Sequence, residues 1–292
     1  MSSVSKGGEK MVFKFDSYKS KLDEVAPNVF TLGDTYPKKF IGLEYNIDEA
    51  VLFNCFEYAY KMAEYKKQRE NRSGGTIKRN KLEIFWDDFR GKIAECYVKE
   101  YYENQGCEVE DIDFAIYDRG QWDKFDLRIN GKVVSVKSSK HFSQLLLLET
   151  ADWKDGKYVG DTTNGEYSVD YFMFVRTLIQ VPEGFESGNE LNKDVLWDKI
   201  KSINIKAEIS GVLSRFDFQE QVTKYRYIIP KGAWFRINPN TNGTRMDAEN
   251  YYVKIAELQK ADANLSLPIE LNFRRFNNFS IKVLNTRQDI TF

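Results

Sequence analysis

Histidine is nearly absent from this chain of 292 residues: His141 is the only one. Chemistries that need two imidazoles, such as H-E-x-x-H zinc proteolysis, are excluded on that ground. Cysteine is almost as scarce. Cys55, Cys96 and Cys107 form an odd set of three without a C-x-x-C pair. That speaks against a disulfide scaffold or a thiolate zinc site and fits a reducing cytoplasm. Long apolar runs are missing too. The longest aliphatic run, Leu145 to Leu148, falls far short of the ~20 residues of a membrane-spanning helix. Residues Met1 to Lys10 are rich in Ser, Gly and Lys, lack the apolar stretch of a signal peptide, and read as a solvated lead-in. The expectation is a soluble cytoplasmic protein with no membrane partner. Neither charge sign dominates, since 43 basic side chains meet 44 acidic ones for a net charge of −1. A uniformly basic nucleic-acid coat protein is thereby excluded, whereas a locally basic groove is not.

What is present is an ordinary globular composition, 42% hydrophobic and 30% charged, long enough to bury a real core. No internal repeat and no long Pro- or Gly-rich linker divides the chain, so 1–292 reads as a single domain in three parts. These are a helical N-terminal part (1–80), a central α/β part (81–182) and a C-terminal part (183–292) richer in short strands. The clearest punctuation is Asn71-Arg72-Ser73-Gly74-Gly75, after a helical stretch from about Asp48 to Arg69. Residues 61 to 81 carry eight basic side chains against only Glu64 and Glu70. Such a block is either a solvated helix face or an arm that contacts phosphates.

From Glu83 to Tyr102 the pattern is helical. Trp86, Phe89, Ile93, Tyr97 and Tyr101 recur at spacings of three and four and form one apolar stripe. Glu95 falls about 200° around the helix from Ile93 and so off that stripe. By itself it reads as an exposed glutamate. Gly91 lies one turn earlier; a glycine inside a helix costs ~1 kcal/mol against alanine. Close approach of a backbone or a substrate would account for it.

The most informative segment runs from Trp122 to Ser139. Two alternating runs flank Asn130-Gly131, the strongest short-range signal for a two-residue hairpin. That loop pairs Ile129 with Lys132, Leu127 with Val134 and Asp126 with Ser135. Phe125, Leu127, Ile129, Val134 and Val136 then share the buried face. Asp126, Arg128, Ser135 and Lys137 share the other, with Lys137 diagonal to Asp126 at about 7–8 Å between backbones. A cross-strand ion pair on a solvated sheet face is the plain reading of that arrangement.

The order of these features, a Gly91-to-Glu95 helix, then Asp126-Leu127, then Asn130-Gly131, then Ser135-Val136-Lys137-Ser138-Ser139, resembles the PD-(D/E)XK nuclease superfamily, and type II restriction endonucleases within it. The resemblance covers Lys81 to Thr177, about a third of the chain, with Tyr171 to Val175 matching the buried strand that follows the hairpin. It implies an α/β fold: a restriction-endonuclease-like mixed β-sheet core with flanking helices, plus a helical N-terminal and a β-rich C-terminal extension that grip DNA. It also implies Mg²⁺-assisted phosphodiester hydrolysis, with Mn²⁺ able to substitute. Asp126 would be the central metal ligand and the Val136 carbonyl a further one. Lys137 would orient or help deprotonate the attacking water. Glu95 would complete the site, through water to the metal or by positioning Lys137.

One position departs from the pattern. Ser135 stands where the family has Glu or Asp, so the site lacks a negative charge. Some restriction enzymes with the same "SVK" recover the carboxylate from a later helix. Glu149, twelve residues after Lys137, is the first candidate to do so, and Asp152 the second; Asp123 is a possible donor from the loop edge. Ser138, Ser139, Lys140 and His141 are expected near the DNA backbone. Arg274, Arg275 and Asn277, in a cluster with Asn272, Asn278 and three phenylalanines, have the side chains that read guanine and adenine edges. They would equally suit a capped turn around a small aromatic core. Double-stranded DNA, a homodimer cutting both strands, and a companion methyltransferase acting on the same site are the partners this reading implies. Its rivals are a repair or anti-phage nuclease without a defined site, and a non-catalytic DNA-binding protein that kept the fold and lost its chemistry at Ser135.

Overall fold

A computed structural model describes residues 21–64, 78–116, 125–154, 156–159 and 165–259. The architecture is mixed α/β. In chain order the elements are β1 (Asp23–Ala26), β2 (Val29–Thr31), β3 (Leu43–Glu44), α1 (Glu49–Glu64), α2 (Lys81–Asn104), β4 (Leu127–Ile129), β5 (Lys132–Lys140), β6 (Leu145–Glu149), β7 (Trp153–Lys154), β8 (Lys157–Tyr158) and β9 (Tyr167–Ser168). They continue with β10 (Tyr171–Ile179), α3 (Lys193–Ile200), β11 (Ile205–Ser214), the short turn α4 (Arg215–Asp217) leading into a wider helical turn at Phe218–Thr223, β12 (Ile228–Ile229), β13 (Trp234–Arg236), β14 (Thr244–Arg245) and β15 (Asn250–Lys254). None of the described helices is long and apolar enough to cross a membrane.

The central sheet has the order β3-β11-β10-β5-β4. Its β4–β5 pair is the hairpin: Leu127 faces Val134 and Ile129 faces Lys132, with Asn130 and Gly131 both at positive φ in the turn. A type I′ turn needs that φ at both residues, and Asn-Gly adopts it at least cost. Next to it, β10 runs parallel to β5, with Met173 opposite Val136 and Phe174 opposite Lys137. Antiparallel β11 and β3 close the other side.

Alternation along β5 and β10 sorts side chains onto two faces. Val134, Val136, Met173 and Val175 pack with Ala94, Val98 and Tyr102 of α2. Phe172 and Phe174 turn the other way, into a second core built with β6, Trp153, Phe218 and β15. A third core joins α1, α2 and α3 around Phe56, Phe85, Phe89, Leu196 and Ile200. Helix α2 starts at a capping box: Asn80 Oδ1 accepts from the Glu83 amide at 3.0 Å, and Glu83 Oε2 accepts from the Asn80 amide at 2.8 Å.

Three expectations are corrected here. The helix over 83–102 is not simply amphipathic. It is wedged between α1 and the sheet, so even Arg90, Lys92 and Glu95 are buried. Nor is the 1–80 part only helical, because β1 and β2 form a sheet with β13 and β14 from the far end of the described chain. Glu149, expected on a helix, ends strand β6, opposite Asn250 of β15. A run of four leucines has no period that separates a buried strand from a helix. Parallel strands are usually joined through a helix; here the β5-to-β10 crossover travels through β6 to β9 instead.

Candidate functional site

The ladder between β4 and β5 stops at Leu127, and the side chain of the preceding residue takes over. Asp126 Oδ2 accepts from the backbone amide of Val136 at 2.6 Å and from Ser135 Oγ at 3.0 Å. The carboxylate thus fills the hydrogen-bonding place of a missing strand residue, which fixes its position against β5. Its other oxygen, Oδ1, has no hydrogen bond among the described residues. Ser135 is buried with only 4% of its surface exposed, and its hydroxyl acts as a donor to Asp126. The serine that replaces the expected acid therefore holds the remaining acid in place.

Lys137 stands on the face of β5 opposite α2. Its Nζ lies 5.7 Å from the centroid of the Trp153 ring, and among the described residues it forms no ion pair. Its diagonal carboxylate, Asp126, is engaged by Ser135 and Val136 instead, so the plain cross-strand pair is not formed. Trp153, which roofs the lysine, follows Glu149 and Asp152 by a tight turn in which the Asp152 amide donates to the Glu149 carbonyl at 3.1 Å.

Glu95 is brought to this corner from α2, but its ion partner is Lys92. Lys92 Nζ and Glu95 Oε2 are 2.7 Å apart, with side chains only 8% and 11% exposed. The ammonium also sits 4.7 Å from the Tyr58 ring and 5.7 Å from the Phe114 ring. Burial pushes the Lys92 ammonium down. Glu95, with Tyr58 and Asp126, outweighs burial and holds the pKa above its ordinary value. Lys92 is thus a charged group between Glu95 and the field of Asp126. Sequence reasoning passed over it, although an i, i+3 Lys–Glu pair inside an otherwise buried helix was its available signal. Among the described residues outside its own turn of helix, none comes within 4 Å of where a Cβ on Gly91 would stand, so close approach of another described backbone does not explain it.

The remaining expected site residues are dispersed. Ser138, Ser139 and Lys140 end β5, and His141 follows in a turn. Ser139 Oγ lies 2.5 Å from Ser143 Oγ. His141 meets Phe40 and Phe142 edge-on at 5.8 and 5.3 Å. Asp123, Arg274, Arg275 and Asn277, and most of the basic block after Lys61, lie outside the described residues.

Among the described residues, Asp126, Glu95 and Glu149 do not form a group of three acidic side chains able to hold a metal. Magnesium asks for less than that. It keeps several waters and commonly takes one or two carboxylates plus substrate phosphate. Asp126, with one oxygen uncommitted and the Val136 backbone beside it, fits such a sparse donor set. Glu149 is not needed for it. No protein-family model, no curated protein and no solved structure matches this chain.

Proposed function

We propose that the protein is a magnesium-dependent DNA endonuclease with a restriction-endonuclease-like core, acting as a type II enzyme on double-stranded DNA. The observation that carries this reading is the clamped carboxylate: Asp126, just before β4 begins, is held by Ser135 and by the amide of Val136, the residue before Lys137 on β5. Helix α2, bearing Glu95, packs on the other face of the same two strands. Strand β10 lies beside β5 where the resemblance puts its buried strand.

In this reading Asp126 and the Val136 carbonyl would hold the metal, and the chemistry it would supply there is that of a Lewis acid that makes a bound water more acidic. Lys137 orients the attacking water and offsets charge that builds on the phosphate. Trp153 keeps the lysine's stem in a dry position. Glu95 acts at one remove, through water, with Lys92 limiting the negative charge that two carboxylates would otherwise concentrate there. A homodimer places two such sites on the two strands of a symmetric target.

Digestion of unmethylated phage-sized DNA in Mg²⁺ tests the proposal. The wild type is expected to give discrete fragments. Lys137→Ala and Asp126→Asn are expected to lose about a hundredfold or more in rate. Asparagine keeps an acceptor for the Val136 amide, so its loss reports chemistry rather than folding. A smear in place of bands would indicate a nuclease without a defined site. A second reading, a DNA-binding protein without catalysis, is favoured by Ser135, a neutral hydroxyl where the resemblance expects an acid. Binding without cutting in either Mg²⁺ or Mn²⁺ would establish it.

A further inference from the structure

At the end of β5 the chain meets a segment that the resemblance does not touch. Arg176 of β10 is fully buried, and its guanidinium makes a dense set of contacts. Nε donates to Glu208 Oε1 and Ser210 Oγ, both at 2.9 Å. Nη1 reaches the carbonyls of Lys38 at 2.9 Å and Ser143 at 3.2 Å, and Nη2 the carbonyl of Lys39 at 3.0 Å. Glu208 Oε2 in turn accepts from the Ile41 amide at 2.7 Å, and Gln144 Oε1 from the Lys38 amide at 2.8 Å. A buried ion pair is thus spent on fixing the backbone of residues 38–41, a stretch with no helix or strand of its own.

The side chains displayed by that stretch are not core residues. Tyr36 is 89% exposed, and Lys39 is exposed beside it. Phe40 packs on His141, which joins the 36–41 stretch to the turn that carries the exposed Lys140 and Phe142. Among the described residues neither Lys39 nor Lys140 forms an ion pair. The surroundings are electropositive: burial, then the charges of Arg176 and Lys140, hold the His141 imidazole below its ordinary pKa.

We propose that residues 36–41 and 140–142 together form a pre-set nucleic-acid backbone clamp, in which Lys39, Lys140 and His141 take consecutive phosphates and Tyr36 and Phe142 cover the adjoining sugar and base edges. This rests on the reading of the chain as a DNA-binding protein and extends it to a segment 100 residues earlier in the sequence. The buried Arg176–Glu208 pair makes the clamp rigid before DNA arrives, so little ordering cost remains to be met on binding.

The test is duplex binding by fluorescence anisotropy across a KCl series, in chelator so that no cleavage intervenes. Each phosphate contact contributes about 0.9 to the slope of log K against log salt. Lys39→Ala and Lys140→Ala are each expected to reduce that slope by about 1, and the double variant by about 2. Tyr36→Ala is expected to weaken binding about tenfold with the slope unchanged. Lys199→Ala, which removes an exposed lysine of α3, is expected to change neither. A double variant that keeps the wild-type slope overturns the clamp, even if the protein cuts DNA. A reduced slope in a protein that never cuts leaves the clamp standing and removes the nuclease.

Discussion

Lys92 illustrates how much a single buried side chain can decide. Its ammonium and the Glu95 carboxylate are both largely shut away from water, and the pair offsets part of the cost of burying each charge. Lys92→Met is expected to destabilise the protein by about 3–5 kcal/mol, because it strands a buried carboxylate. The double change Lys92→Met/Glu95→Leu should recover most of that loss, as urea unfolding of the set would reveal. If the single and double variants are equally unstable, the ion pair is not the cause. His141 gives a second prediction at this scale. Its folded pKa lies below the ordinary value of about 6.5, first through burial and then through Arg176 and Lys140. The unfolded chain therefore takes up the proton more readily. The stability contribution is fully present above pH 6.5 and is lost as pH falls from there through the lower folded value. His141→Gln should flatten the stability profile between pH 7 and 5; an unchanged profile would assign the acid sensitivity to other groups.

At the scale of elements, the parts that sequence made legible are those whose causes are local. Asn130-Gly131 dictates a turn and the turn dictates a register, so the β4–β5 pairing was readable to the residue, and with it the meeting of Asp126 and Ser135. Helix α2 was readable from its period. Strand β6 was not, because what makes Leu145–Glu149 a strand is β15, about a hundred residues further on. Arg176 left a trace that went unread. One charge inside the apolar run Tyr171–Ile179 signals a buried, partnered ion, and Glu208 sits opposite it across the β10–β11 ladder. Arg176→Lys keeps the charge but loses the fork that reaches three carbonyls, a glutamate and a serine at once. It is expected to raise amide exchange at Ile41 and Lys38 selectively, with a stability loss of about 2–3 kcal/mol. Exchange that rises uniformly across β10 would mean that the arginine supports the sheet as a whole rather than the 38–41 stretch.

For the whole molecule, the central sheet carries different cores on its two faces, and β10 contributes to both. Phe172 belongs to the face turned toward β6 and β15, and Met173 to the face turned toward α2. Residues so interleaved on one strand should melt together. Phe172→Ala, on one face, and Phe89→Ala, in the helical core beyond α2, are each expected to cost about 3–5 kcal/mol. Both should lower one common denaturation midpoint with an unchanged denaturant dependence. Two separable transitions would instead divide the molecule along the sheet.

The route from β5 to β10 has a consequence in time. Hairpin β4–β5 and helix α2 need only neighbours in sequence, and can form as soon as they are made. Strand β6 must wait for β15, and the turn that carries Trp153 over Lys137 hangs from β6. On a ribosome, the lysine's side of the sheet is therefore expected to stay open until the chain has been synthesised past Lys254, long after Asp126 and Ser135 have met. A chain interrupted before β15 is expected to carry the β4–β5 pair of strands without the Trp153 turn as its cover.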